Sequence, residues 1–289
     1  MADHPYRDQR VVVATQHGKE RALGPPFQRH LGMRVFATEG LDTDELGTFT
    51  GEISRPGSAR DVAITKSRLA ASCTGERFGL GSEGSFGPHP AVPFVAVDHE
   101  ILALHDRERD SIIVEQITVT RTNFSHIDLG VWDPEASDLE DFCARVGFPA
   151  HALIVSQIRD DGVVPLAKGL RRRADLDHIL RSGPSGSSGG KVRICTDMRA
   201  HMNPTRMAVI RALGTRLARR LARLCPQCRT PGFGETSYEY GVPCSWCGEP
   251  VALRRARRIC CLACTYSETE PLRTAPAVAD PRYCEICNP

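Results

Sequence analysis

Eight of the twelve cysteines fall in four C-x-x-C pairs after residue 224, and no other feature constrains the C-terminal fold as strongly. The pairs are Cys225/Cys228, Cys244/Cys247, Cys261/Cys264 and Cys284/Cys287. Fifteen residues separate the first two pairs and nineteen the last two, gaps that suit the C-x2-C…C-x2-C zinc pattern. A C-x-x-C turn aims two thiolates at one tetrahedral ion, and two such turns close a structural site of four cysteines. The alternative is disulfides. The N-terminus "MADHPYRDQRVVVA" is charged and has no secretory signal pattern, so a cytoplasmic address and reduced thiols are expected. That favours two structural zinc ions. Two sequential ribbons and a cross-braced arrangement, first pair with third and second with fourth, both fit the spacing. Cys260 adjoins Cys261 but is worse spaced to Cys264.

The zinc reading changes the charge argument. Residues 1–205 carry 24 Lys+Arg against 28 Asp+Glu, while residues 206–289 carry 13 Arg against 7 acids, a local charge of +6. A basic tail points to an acidic partner such as nucleic acid. Each four-thiolate zinc site contributes −2, so two sites bring the tail to about +2. Arg254, Arg255, Arg257 and Arg258 remain a concentrated patch, either a nucleic-acid contact or a counter-charge to the thiolates.

At 289 residues the chain can bury a sizeable core and hold two domains. No run approaches the roughly 18 apolar residues of a membrane span. Residues 1–10 read as a tail. "VVVAT" and "MRVFAT" read as strands flanking a helix, and "ARDVAITKSRLAAS" has helical spacing. "RFGLGS" reads as a strand, followed by a glycine-rich turn "GSEGSFGPHP". "VPFVAV", "EILALHD" and "SIIVEQITV" read as strands, with a hairpin turn at "DRERD". "SDLEDFCARVG" is a helix with Ser137 as a candidate N-cap, "HALIVSQI" a strand and "RADLDHILR" a helix. Residues 182–190 form a flexible loop, "KVRICTDM" a strand, and about 206–224 a long helix with a stripe of Met207, Ile210, Leu213, Leu217, Leu221 and Leu224. The expectation is an α/β domain over 11–224, with a mixed sheet and flanking helices, and a zinc module over 225–289.

Four polar clusters stand out in the α/β part. "ATQHGKE" carries Thr15 and Lys19 at a strand-to-helix turn, where backbone N–H groups favour anions. Residues 38–53 hold Glu39, Asp42, Asp44, Glu45 and Glu52 with no basic residue, which suits a divalent cation or a solvated loop. The glycine-rich turn carries Glu83 and His89. "TDMRAHMNPTRM" crowds Asp197, Arg199, His201, Asn203 and Arg206 at a helix entry, with Asn203-Pro204 suited to N-cap and first helical position.

"VVVATQHGKE", "GLDTDELGTFTGEI", "SEGSFGPHP" and "TDMRAHMNPTRMAVI", with the C-x-x-C pairs and the final "CNP", resemble an uncharacterised bacterial family with a domain of unknown function. More distantly, residues 11–220 resemble the inosine triphosphate pyrophosphatase and Maf-like fold. There "ATQHGK" is similar to the family's phosphate loop, but it lacks the Asn and its Thr-to-Lys spacing is one residue shorter. "TFTGEI" with Lys66 is similar to its acidic segment and lysine helix, and "GLGSEG" to its metal-binding strand end. "AHMNPTR" resembles its late "SHR" motif, with His201 and Arg206 here separated. The resemblance implies a Mg²⁺-dependent hydrolase of a nucleotide or related phosphorylated compound. Glu83 and Glu52 would be metal-binding or base-orienting acids, Thr15, Lys19, Lys66 and Arg206 phosphate contacts, and His201 a base or phosphate contact. The alternative is a non-catalytic protein whose zinc ribbons bind nucleic acid or protein.

Overall fold

The structure, a computed structural model, describes residues 4–38, 57–130, 137–183 and 190–289. The chain divides into a unit spanning Asp8–Leu217 and a second that begins at Ala218 and includes residues 4–7.

In the larger unit the first strand, β1 (Arg10–Val13), is buried along Val11, Val12 and Val13. That is the signature of a central strand covered on both faces. Helix α1 (Glu20–Leu31) ends at Gly32, which takes the left-handed conformation a C-terminal glycine allows. Strand β2 (Arg34–Ala37) comes next, then α2 (Ala59–Thr74), whose N-cap Ser58 accepts a hydrogen bond from the Asp61 N–H. Strands β3 (Phe78–His89), β4 (Val92–Asp106) and β5 (Ser111–Val119) complete a sheet of order β2-β1-β3-β4-β5. β1 runs parallel to β2 and β3; β3-β4 and β4-β5 are antiparallel, so the sheet is mixed as expected.

The fold departs from the sequence expectation in two places. The glycine-rich run is not a turn: β3 passes through it to His89, and "VPFVAV" and "EILALHD" are one strand of 15 residues. The glycines serve close approach instead. A Cβ at Gly79 would lie 2.0 Å from Ser67 O, and one at Gly81 1.9 Å from Ala63 O, so α2 lies directly against the bare strand. His89 has a local role at the hairpin, its Nδ1 accepting the Ala91 N–H at 3.1 Å.

The second departure is a second sheet. β6 (His126–Leu129), β7 (Leu153–Arg159), β8 (Gly162–Leu170) and β9 (Val192–Thr196) pair antiparallel in the order β6-β9-β7-β8. Helices α3 (Ser137–Val146) and α4 (Arg173–Ser182) pack Leu139, Phe142, Val146, Leu176 and Leu180 with its Leu153, Val155 and Ile194. Helix α5 (Pro204–Ala222) begins where Asn203-Pro204 predicts, with Asn203 Oδ1 accepting the Arg206 N–H at 3.0 Å. Most of the expected stripe is core: Ile210, Leu213, Leu217 and Leu221 are buried, while Met207 and Leu224 are half-buried.

The division between units falls inside α5 rather than at its end. The last turn of α5 belongs with the C-terminal unit, because Arg220 Nε donates to Gly232 O at 3.1 Å and Arg223 lies over the Phe233 ring. Beyond it, β10 (Gly234–Pro243), β11 (Pro250–Cys260) and β12 (Ser267–Pro271) form an antiparallel sheet in that order. Its apolar content is small and lies against the cysteines: Val242, Val251 and Ala279 with Cys244 and Cys284, and Phe233 and Ile259 with Cys225. A module this small needs a metal or another cross-link to hold its fold.

Candidate functional site

The β10–β11 hairpin decides how the cysteines pair. Gly234 opposes Cys260 at its open end, so the chain before β10 meets the chain after β11. Cys225 and Cys228 therefore join Cys261 and Cys264. Cys244 and Cys247 lie at the hairpin's closed end, where Cys244 bridges Ala279 and Cys284 and Cys287 arrive. The arrangement is the cross-braced one, not sequential ribbons. Across the tetrads, Cys225–Cys264 lie at 3.7 Å, Cys228–Cys261 at 3.5 Å, Cys244–Cys287 at 3.9 Å and Cys247–Cys284 at 3.6 Å, sulfur to sulfur. A tetrahedron with metal–sulfur bonds of about 2.3 Å has an edge of about 3.8 Å, so each tetrad has the dimensions to hold an ion such as zinc. All eight cysteines are free thiols. Cys260 stays outside both tetrads, its sulfur accepting from Thr236 Oγ1 at 3.1 Å. The arginine patch is largely engaged within the module: Arg257 pairs with Glu270, Arg255 with Glu239, and Arg254 lies over the Tyr238 ring.

In the larger unit the chemistry gathers on β3. Lys19, from the loop after β1, donates to Ser82 O at 3.0 Å and Ser82 Oγ at 3.2 Å. Lys66, from α2, lies 2.5 Å from Glu83 Oε1. Arg206, from the first turn of α5, reaches Gly84, where a Cβ would meet its Nη2 at 2.4 Å. Three cations from three separate segments thus converge on three successive residues, Ser82, Glu83 and Gly84. The strand's alternation places them on two faces. Glu83 shares the α2 face with Gly79 and Gly81; Gly84 faces Glu100 of β4, its ladder partner.

Glu100 and its neighbour Asp98 are acids that the sequence motifs did not single out. Arg206 Nε donates to Glu100 Oε1 at 2.6 Å, and its Nη1 to Met198 O at 2.5 Å. Asp98 is 1 % exposed and Glu100 0 %. Among the described residues, both Asp98 oxygens and Glu100 Oε2 lack a hydrogen-bond partner. Burial, then the Glu100 charge, pushes the Asp98 carboxyl up to about 7. The available signal was "VAVDHEIL": two acids at i and i+2, on one face of an otherwise apolar strand.

Burial lowers the Lys19 ammonium to about 8, with the Arg206 charge adding to the shift, so it stays mainly cationic at neutral pH. Its hydrogen bonds go to the neutral Ser82 oxygens, leaving its charge uncommitted to any carboxylate at bonding distance among the described residues. Thr15 is buried and shapes the same loop, its Oγ1 accepting the His17 N–H at 3.1 Å. His201 stacks on His17 with ring centroids 5.0 Å apart. Burial, then Lys19, drives His17 down to about 3, and burial, then Arg199, lowers His201. Both imidazoles are therefore neutral at pH 7. Arg199 is held by Asp197 through Nη2–Oδ2 at 2.6 Å. Of the expected residues, Thr15, Lys19, Lys66, Glu83 and Arg206 lie along or beside β3. Glu52 and the acidic cluster at 39–45 lie outside the described residues.

Residues 66–289 match the family described as a domain of unknown function, DUF6671, and the chain belongs to that family. No curated protein and no solved structure matches it.

Proposed function

We propose that this member of the DUF6671 family hydrolyses a nucleotide or a related phosphorylated compound, and that structural zinc fills its cysteine tetrads. The observation that carries the hydrolase reading is the convergence of Lys19, Lys66 and Arg206 on Ser82–Gly84. Buried cations are costly unless they face an anion; Glu83 answers Lys66 and Glu100 answers Arg206, and a phosphate group is an anion that Lys19 beside them would suit. Lys19 is the best placed to take it, since among the described residues its hydrogen bonds go to the neutral Ser82 oxygens rather than to a carboxylate. The order of a loop after the first strand, a lysine helix and an acidic strand is also that of the inosine triphosphate pyrophosphatase and Maf-like fold, which favours the same substrate class.

The residues divide the work. Lys19 and Arg206 hold phosphate oxygens and offset charge that develops on them. Glu83 orients Lys66. The neutral His17–His201 stack suits a base or sugar better than a phosphate, because it brings hydrogen bonds and a flat face without charge. Mg²⁺, when bound, would neutralise phosphate charge and activate water. Glu83 is engaged by Lys66, so it fits the part of orienting acid better than that of metal ligand.

The test is pyrophosphate and phosphate release by the pure, zinc-loaded full chain across a panel of nucleoside triphosphates with Mg²⁺ or Mn²⁺. Turnover should fall about 10²-fold in Lys19→Gln, the scale of losing one charge-stabilising donor. No turnover with any nucleotide, or undiminished turnover in Lys19→Gln, would sink the reading.

A second reading, recruitment of a protein or nucleic acid by the cysteine-rich module, is favoured by the exposure of Trp246 and Ile286. They stand at 77 % and 64 % on the two knuckles of one tetrad. Retention on a partner that survives Lys19→Gln and is lost on chelation would support it.

A further inference from the structure

Asp98 and Glu100 project from the same face of β4, two residues apart, opposite Val119 and Ile117 of β5. Burial leaves the pair essentially without solvent. Two carboxylates are present, and one guanidinium, Arg206, serves one of their four oxygens. The other three, Asp98 Oδ1, Asp98 Oδ2 and Glu100 Oε2, meet no donor from any other described residue, and the contact of the Asp98 carboxyl with Glu100 needs a proton or a cation between the two. An ionised carboxylate removed from water costs several kcal/mol unless it is paired. The set thus needs one further positive partner, a proton or a cation.

Oxygen-only donors select a hard cation, and Mg²⁺ or Mn²⁺ takes one or two carboxylates and completes its shell with water and phosphate oxygens. A thiol- or imidazole-preferring ion would find no soft ligand among these oxygens. A cavity of about 170 Å³ lies nearby, lined by Ile117 and Val119, the ladder partners of Glu100 and Asp98, with Thr205, Ala208 and Val209 of α5; the two carboxylates themselves do not line it. Lys19 and Arg206 stand beside the same strands, where a phosphate bridging them to a cation would sit.

We infer that Asp98 and Glu100 are a divalent-cation site, with Mg²⁺ or Mn²⁺ held by the three unpartnered oxygens. The choice of Mg²⁺ over a larger ion rests on the phosphate reading above; the existence of the site does not. Glu83, the acid that sequence singled out, is not one of its ligands.

The experiment uses the full chain with its cysteine tetrads loaded with zinc, and Mn²⁺ as the probe. Free Mn²⁺ is followed by electron paramagnetic resonance, with and without inorganic pyrophosphate and with no nucleotide present. Wild type should bind about one Mn²⁺ per chain beyond the zinc, and both Asp98→Asn and Glu100→Gln should bind it about tenfold or more weakly, whereas Glu108→Gln, at an exposed acid of the β4–β5 turn, should retain it. In parallel, Mn²⁺ should broaden the wild-type amide resonances of Asp98, Glu100 and Ile117 ahead of those in β8, a measurement that needs no variant to fold. Absence of Mn²⁺ binding with or without pyrophosphate, or broadening that spares β4, would overturn the site. A well-folded Asp98→Asn that binds Mn²⁺ like wild type would also overturn it and leave a shared proton as what joins the two carboxyls. Since hydrolysis is not the readout, either result stands apart from the nucleotide panel.

Discussion

Lys66 of α2 and Glu83 of β3 face each other at 2.5 Å, each side chain only 9 % exposed. The contact ties the helix to the strand at the point where the glycines of β3 end their close approach to α2. Loss of Glu83 leaves the Lys66 ammonium in a poorly solvated place.

Glu83→Gln should therefore destabilise the larger unit by about 3–5 kcal/mol, the cost of an uncompensated buried charge. The double variant Glu83→Leu/Lys66→Met should recover most of that loss, since it removes both charges and keeps the volume. Urea unfolding curves followed by a probe in the larger unit measure both. A single variant within about 1 kcal/mol of wild type would mean that water reaches the pair.

The cross-brace predicts which cysteines fail together. Cys228→Ser and Cys261→Ser should each lower bound zinc from two ions per chain to one, and the double variant should keep one. Cys228→Ser with Cys247→Ser should lose both. Sequential ribbons would reverse the two double variants, and metal analysis of purified protein distinguishes them. Full chelation should unfold the module, because its apolar clusters are built around the cysteines.

Two glycines of β3 should respond differently to alanine. At Gly81 the new Cβ would sit 1.9 Å from a backbone oxygen of α2, so helix and strand must separate, at about 1–3 kcal/mol or more. At Gly84 the atoms in the way are the ends of Arg206 and Glu100 side chains, at 2.4 and 2.5 Å, which can shift. Gly84→Ala should cost less stability and loosen Mn²⁺ more. Equal stability losses would show that Arg206 and Glu100 cannot move.

His17 sets a pH dependence whose sign comes from linkage. Its folded value is near 3 and its ordinary value 6.5, so between these the unfolded chain binds the extra proton. This residue's share of stability is complete above about pH 6.5 and falls as pH drops through that window. Wild type should lose more stability than His17→Asn between pH 7 and pH 5, and the His17 ring resonances should hold their neutral positions across that range. An imidazole that titrates near pH 6 would contradict its burial beside Lys19 and His201.

Local patterns were legible where one segment carries its own signal. Helix α2, with its apolar spacing and Ser58 cap, and the start of α5 at Asn203-Pro204 arise from neighbouring residues alone. Glycine in β3 was misread because its use there is tertiary: Gly79 and Gly81 make room for a helix rather than for a turn. Asp98 and Glu100 escaped notice for a related reason. Two acids in an apolar strand look ordinary until burial removes their water and Arg206 is seen to satisfy only one oxygen.

By itself, the sequence determined that eight cysteines in four close pairs make two tetrads with the ligand set to hold a metal ion, because the C-x-x-C turn is a local geometry that needs no partner to form. It also determined the mixed α/β character of the first part, through apolar periodicities that each segment carries alone. Only the tertiary structure decided which pairs share an ion, because the antiparallel register of β10 with β11 sets which chain ends meet. It alone brought Lys19, Lys66 and Arg206 to Ser82–Gly84, because convergence of residues up to 187 positions apart is a property of sheet order and helix packing.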